Sequence, residues 1–416
     1  MSKENQLKLV HTADLHLGMH FHDMSHEKRN ERIDDFFKNL REIVNFAIER
    51  KCDFFIIAGD IFSNPLPRGE IFNRFAKLMG DLLANGIKVI VAAGNHDTPA
   101  SFVQRNTALG LHLAGLRDFI YVDQRSIFKP TILEGKYSRK KVAFYIIPFI
   151  YPETVTLDET NIADYEKRIF EIFDSQFVEK DVDYSLGVAH LTVEGAKYSS
   201  QIEPLFTYEI KVRKSLLRKM IKIADIAYFA LGHIHRYQEI DNKIVYSGSI
   251  ERINFSEINE TKGFLYIHEE RGELVKEFIP LQCRKMIEIR KEIPSYETPW
   301  KEFSSLESWL SGLDAREIKD AMIKLEIKYP REYGHSINWR RLFNLLYRKG
   351  AFHVKIEKIL TESKGREIIR ERKKKRFEDL IEEYVKNIPE LRGNESLRNR
   401  VVIWIKRILG EIRQAT

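Results

Sequence analysis

Seven side chains able to bind a divalent cation stand in five short stretches of this chain. Asp14 and His16 lie in "HTADLHLG", Asp60 in "AGDIF", Asn95 in "GNHD", His190 in "GVAHLTVEGA", and His233 and His235 in "ALGHIHRY". Two carboxylates, four imidazoles and one neutral amide suit a pair of divalent cations, with Asp60 well placed to bridge them. Oxygen and nitrogen donors without thiolate favour Mn²⁺, Fe²⁺ or Zn²⁺ over Ca²⁺ or Mg²⁺. Two such ions roughly 3.5–4 Å apart would activate water and clamp both oxygens of a phosphoryl displacement. A single histidine at a strand end is ordinarily a satisfied structural residue. Five separated segments with ligand-type residues in the same relative place are much harder to assign to packing.

The same place is the carboxyl end of a buried strand. "LKLVHTA" (7–13), "FFIIAG" (54–59), "IKVIVAAG" (87–94), "KVAFYIIP" (141–148), "YSLGVAH" (184–190) and "IAYFALG" (226–232) are short apolar runs with strand character. Open α/β sheets gather their ligands beyond the carboxyl ends of their strands. Asp14 and His16 are two apart, as are His233 and His235, a spacing that in extended chain puts both side chains on one side. Glycines at 59, 94 and 232 let the backbone turn tightly beside the cluster. Amphipathic segments at 30–51 and 69–86 separate the first three strands, so the chain opens βαβαβ and predicts a sheet with helical cover. "KIVYSGSI", "GFLYIHEE" and "LVKEFIPL" follow with short turns and add an antiparallel portion. From 284 to 361 strands alternate with helices in a small α+β domain, and 362–416 reads as helical and basic.

Composition sets the frame. The 416 residues are 43% hydrophobic and 31% charged, enough for two or three globular domains. No run approaches the roughly 18 apolar residues of a membrane span. The start "MSKENQLKLV" lacks an apolar signal core, and Cys52 and Cys283 are the only cysteines, so the cytoplasm is the expected compartment and a disulfide framework is excluded. The net charge of +7 suits a polyanionic partner, and residues 362–416 carry fifteen Lys or Arg against ten Asp or Glu, a surplus of five.

Taken together, "DLHLG…GDIF…GNHD…AHLTVEG…GHIH" resembles the five-part signature of the calcineurin-like metallophosphoesterases. "HTADLHLG" near the start, Arg32-x-x-Asp35-Phe36 and the chain length are similar to the SbcD / Mre-eleven type nucleases of double-strand-break repair. The resemblance covers about residues 1–280 by motif. It implies an α/β fold, a four-layered αββα sandwich over 1–283, with a small α+β capping domain at 284–361 and a helical C-terminal tail at 362–416. It also implies one metal held by Asp14, His16, Asp60 and His235, and a second held by Asp60, Asn95, His190 and His233, both most simply Mn²⁺. His96 would be no ligand but a general acid over the metals, with Asp97 orienting it from behind. The implied activities are a 3′→5′ exonuclease on duplex DNA and an endonuclease on single strands or hairpins, in a nucleoid-associated complex with a Rad-fifty / SbcC type ATPase. Many archaeal members carry a further histidine after "GD-x-F", where this chain has Ser63.

The remaining features carry weaker signals. "HFHDMSH" (20–26) reads as a surface loop, in a place to line the substrate cleft. The apolar stripe of 69–85 and the segment 107–116 suit core packing and, by resemblance, a homodimer contact. Phe377, Leu380, Ile381, Tyr384, Val385 and Ile388 mark an amphipathic helix. With "VVIWI" (401–405) it forms the stretch that the resemblance assigns to the ATPase partner. "RERKKKR" (370–376), Arg340 and Arg341 are candidates for DNA backbone contacts. No P-loop is present. The rival readings are a protein phosphatase or small phosphodiesterase on the same fold, and a non-catalytic DNA-end scaffold.

Overall fold

The computed structural model describes residues 5–98, 118–126, 128–155, 161–178, 181–199, 210–293 and 299–361, with 385, 397 and 399–405 beyond them. Two six-stranded sheets lie face to face. The first has the order β12-β11-β1-β2-β3-β4, where β1 is Lys8–Thr12, β2 Phe54–Ile57, β3 Lys88–Ala92, β4 Phe119–Val122, β11 Gly263–Glu270 and β12 Glu273–Pro280. Strands β1 to β4 run parallel, and β11 and β12 add antiparallel at one edge. The second has the order β5-β6-β7-β8-β10-β9, with β5 Thr131–Glu134, β6 Lys141–Ile147, β7 Tyr184–His190, β8 Ile226–Gly232, β9 Gln238–Glu239 and β10 Ile244–Tyr246. Its four inner strands are parallel and its two edge strands antiparallel.

Side-chain alternation separates the layers. Phe54 and Ile56 of β2 point to the second sheet and share a core with Phe144, Ile146, Leu186 and Val188. Their neighbours Phe55 and Ile57 point the other way, into a core with Phe36, Phe37, Phe75 and Leu82. That outer core lies under helices α1 (His26–Glu49) and α2 (Gly69–Ala84). Helices α3 (Ile162–Ser175) and α4 (Lys214–Ala224) cover the far face of the second sheet in the same way, through Ile169, Phe173, Leu217 and Met220. The result is the expected αββα sandwich. Ile71, Phe75, Leu78, Met79 and Leu82 of the α2 stripe are buried in this core. Segment 107–116, the helix expected at 377–388 apart from Val385, and the basic run 370–376 lie outside the described residues.

The small domain differs from the expected α+β type. Its strands β13 (Met286–Glu292), β14 (Met322–Pro330) and β15 (His353–Thr361) are all parallel. Helices Pro299–Gly312 and Trp339–Arg348 carry the chain back between them. A helix between two strands is the connection that parallel pairing needs, so the alternation makes a βαβαβ unit. The loop "HFHDMSH" lies at the surface as expected, with His22, Asp23, Ser25 and His26 exposed, but it is anchored. Met24 is buried, and Ser25 caps α1 by accepting from the Lys28 N–H, so His26 already belongs to the helix. No helix among the described residues is long and apolar enough to cross a membrane.

His11 of β1 ties the two sheets. Its Nδ1 lies 2.8 Å from the Tyr228 hydroxyl and its Nε2 3.2 Å from the Leu231 carbonyl. Burial pushes this imidazole down from 6.5 to about 3. The unfolded chain therefore binds a proton through a range where the folded chain refuses it. Stability is full above pH 6.5 and falls as the pH drops toward 3. His11→Gln should flatten this part of the acid loss in urea midpoints measured across that window. A slope equal to the wild type would contradict the assignment.

Candidate metal centre

The carboxyl ends of β1, β2 and β3 in one sheet meet those of β7 and β8 in the other. Every candidate ligand of the sequence stands there. The loops after β1 and β2 are zipped together by Asp14 N–H to Gly59 O (3.0 Å), His16 N–H to Asp60 O (3.0 Å) and Leu17 N–H to Ile61 O (2.9 Å). Phe149 N–H donates to Ala93 O at 2.8 Å and joins the second sheet to the first. Asp14, His16, Asp60 and His233 all take positive φ, at 52°, 42°, 54° and 94°. For residues other than glycine that conformation costs about 1–3 kcal/mol each and persists where the surroundings impose it.

Two glycines act here by the space they leave. A Cβ on Gly59, itself at φ +93°, would fall 2.0 Å from His190 Nδ1. One on Gly94 would fall 2.0 Å from Asp60 Oδ1 and 2.4 Å from the Asp60 nitrogen.

The side chains form two neighbouring groups. Asp14, His16 and His235 bring their ligand atoms together, and so do Asp60, His190 and His233. Asp60 Oδ2 stands between them, 3.7 Å from His16 Nε2 and 3.4 Å from His190 Nε2. Asn95 Oδ1 completes the second group, 3.2 Å from His190 Nε2 and 3.0 Å from His233 Nδ1.

The partners on the far side of each ring fix what faces inward. His190 Nδ1 lies 2.7 Å from the Ala58 carbonyl and must donate to it, which leaves Nε2 as the atom turned toward Asp60 and Asn95. His235 Nδ1 lies 3.0 Å from Glu257 Oε1, so its Nε2 is the atom turned toward His16 Nε2 at 3.0 Å. Two carboxylates, several imidazoles and an amide oxygen thus converge in one buried space, an arrangement that needs positive charge among them. The electrostatics agree. Against its own burial, Asp60 is held well below the usual carboxylate range by His190 and His96, and the Asp60 charge lifts His190 to about 9. Divalent cations supply that charge, and the donor set fits two of them.

His96 enters differently. It contributes a ligand-type atom near His16 and Asp60, and its ring stands edge-on to His16 with centroids 4.9 Å apart. Its backbone N–H donates to Asp60 Oδ1 at 2.9 Å. The expected support from Asp97 is corrected here. His96 Nδ1 lies 3.1 Å from the Ser63 carbonyl, so main chain orients the imidazole. Asp97 instead accepts from the N–H groups of Ile61 (2.9 Å), Phe62 (3.2 Å) and Gly94 (2.9 Å). A buried carboxylate takes backbone donors where loops must be pinned, and Asp97 pins the two loops that carry Asp60 and Asn95.

Two supports escape a reading by motif. Glu257 is wholly buried in a 3₁₀ turn, and besides His235 it takes Lys262 Nζ at 2.8 Å and the Ile253 N–H at 3.0 Å. Despite burial, Lys262 brings the Glu257 carboxyl down to about 2. Tyr151 places its hydroxyl 2.7 Å from the Asn95 carbonyl and 2.8 Å from that of Thr98. Neither lies beside a ligand in sequence, so only a fold brings them in.

Residues 7–237 match the family model described as calcineurin-like phosphoesterase, more than half of the chain and every ligand named above. The chain belongs to the calcineurin-like phosphoesterases. Solved structures similar to parts of this phosphoesterase include a dimetal phosphatase from Danio rerio, 13% identical, covering 65% of this chain and 95% of that one with a TM-score of 0.34. Another is a purple acid phosphatase from yellow lupin, 12% identical over 67% of this chain and 52% of that one, with a TM-score of 0.39. A cold-active protein-tyrosine phosphatase from Shewanella is 13% identical over 66% and 80%, at 0.29. Similarity at that level carries no argument about substrate.

Gly94→Ala tests the geometry of the phosphoesterase centre, because the new methyl must displace Asp60. Metal analysis after gel filtration should show bound Mn²⁺ falling from two per chain to fewer than one, with far-UV circular dichroism unchanged. Retention of both ions would mean that Asp60 is not the shared ligand.

Proposed function

We propose that this phosphoesterase is a DNA nuclease that trims duplex ends 3′→5′ and cuts single strands and hairpins. The observation that carries this reading is a second domain fastened beside the metal centre. His353 of β15 meets Asp23 at 3.2 Å on the loop that follows Asp14 and His16, and Arg284 pairs with Asp35 of α1 at 2.6 and 2.8 Å. A small phosphomonoester needs no such neighbour, whereas a long polyanion does. Histidines and arginines gather on the same rim: His20 lies 4.2 Å from His22 by ring centroid, and its Nε2 is 2.8 Å from Arg29. The net charge of +7 acts in the same sense by drawing phosphates and releasing their counterions. Fold alone does not choose among substrates, so the choice rests on these features and on the motif resemblance.

When bound, two divalent ions, for which Mn²⁺ is the proposed species, supply a Lewis acid for the phosphoryl oxygens and lower the pKa of the attacking water. Asp14, His16, Asp60 and His235 would hold one ion, and Asp60, Asn95, His190 and His233 the other. His96 is fixed through Nδ1 by the Ser63 carbonyl, which leaves Nε2 free to face the scissile group. It passes a proton to the oxygen that leaves phosphorus as the P–O bond breaks. Asp97 holds the loop on which His96 sits. The same proposal includes a homodimer, and a P-loop ATPase that takes the basic C-terminal segment.

The test compares wild type with His96→Ser on labelled linear duplex, hairpin DNA and a phosphoprotein, each with Mn²⁺. DNA cleavage by the variant should fall about 10²- to 10⁴-fold, the range of a lost acid–base group, while metal content stays at two. Undiminished DNA cleavage would remove His96 from the mechanism. Activity confined to the phosphoprotein would replace the nuclease with a phosphatase.

A further inference from the structure

The segment from Ile250 to Lys262 has two faces that serve different domains. On its inner face Glu257 holds His235, and Lys262 holds both Glu257 and the His235 carbonyl, the latter at 2.8 Å. On its outer face Phe255 and Ile258 pack against Met286 of β13, Met322 of β14 and Phe352, together with Met24 and Phe21. Phe255, Glu257 and Ile258 fall within four residues, three of them in one 3₁₀ turn. That leaves no slack between the domain contact and the carboxylate behind the ligand.

A closed charge square sits at the end of the same segment. Fully buried Arg32 meets Asp35 and Glu251, each at 3.1 Å. Arg284, where the chain enters the small domain, grips Asp35 with two bonds, and its N–H donates to Glu251 at 3.2 Å. The Arg284 guanidinium also stacks on the Phe352 ring, 3.7 Å from its centroid. The two halves of this joint differ in kind. The bidentate pair is strict in geometry, whereas three methionines at one seam form a contact that can repack without opening a void.

We propose that this turn couples the seating of the small domain to the affinity of the metal position built on His235, with Phe255, Ile258 and Met286 as positioning residues. A shift of β13 moves the turn, the turn moves Glu257, and Glu257 sets the orientation and basicity of the His235 imidazole. Loss of such an outer partner ordinarily costs 10- to 100-fold in metal affinity, so partial displacement has ample range to act. Linkage makes the effect mutual: metal at His235 must also tighten the domain seam. A polymer or protein that moves the small domain would thereby adjust the metal centre without touching it. The inference rests on the two-metal reading of the site and not on DNA as substrate.

The test uses the full chain, Mn²⁺ and no nucleic acid, so a failure of the nuclease reading leaves it intact. Calorimetric titration of metal-stripped protein first identifies the step that Glu257→Gln weakens. Met286→Ala, which touches no ligand, should weaken that same step roughly 3- to 30-fold. The double variant should lose less than the product of the two. In the unsubstituted chain, Mn²⁺ should slow amide hydrogen exchange at 286–290 as well as at 253–262, a readout that needs no variant to fold. Affinity within twofold of wild type for Met286→Ala, or protection that stops short of 286–290, would overturn the coupling.

Discussion

The whole molecule is organised around carboxylates and imidazoles that converge on one buried point and need positive charge there. His190 and His235 have their outer nitrogens committed to the Ala58 carbonyl and to Glu257, so their inner nitrogens are turned toward Asp60, Asn95 and His16. Buried carboxylates in that arrangement repel unless a cation stands among them. Backbone strain gathers near this point. Four of the nine described non-glycine residues at positive φ sit here, and a glycine must leave room beside Asp60. The two sheets supply the rigidity that these contacts need. Their shared core, from Leu9 and Phe54 to Phe144 and Val188, sets the distance between strand ends that carry four of the ligands on one sheet and three on the other.

Much of the site was legible because it depends on the chain's local order. A ligand residue directly after a buried apolar run must appear at the carboxyl end of a strand, wherever that strand pairs. Asp14, His16, Asp60, Asn95, His190, His233 and His235 could be placed together for that reason. Strand pairing was less legible. β4, β5 and β9 are short edge or near-edge strands whose mixed burial leaves no long apolar run. The small domain's alternation of strands and helices was visible, but its parallel sense comes from the crossovers rather than from composition.

Motif reasoning misplaced one support and missed another. Asp97 is the neighbour of His96 in sequence, yet its carboxylate pins the Asp60 and Asn95 loops, and the carbonyl of Ser63 holds the imidazole. A main-chain acceptor leaves no mark on residue type. Glu257 was invisible for a different reason. It lies in "NFSEINE", a stretch with no ligand spacing, and becomes a partner of His235 only when the segment after β10 folds back.

The central claim is that these residues hold two cations with Asp60 between them and His96 outside both. Anomalous X-ray scattering from crystals soaked in Mn²⁺ tests it most directly. The account predicts two peaks, one among Asp14, His16, Asp60 and His235 and one among Asp60, Asn95, His190 and His233, with His96 Nε2 bound to neither. A single peak, or a peak ligated by His96, would contradict it.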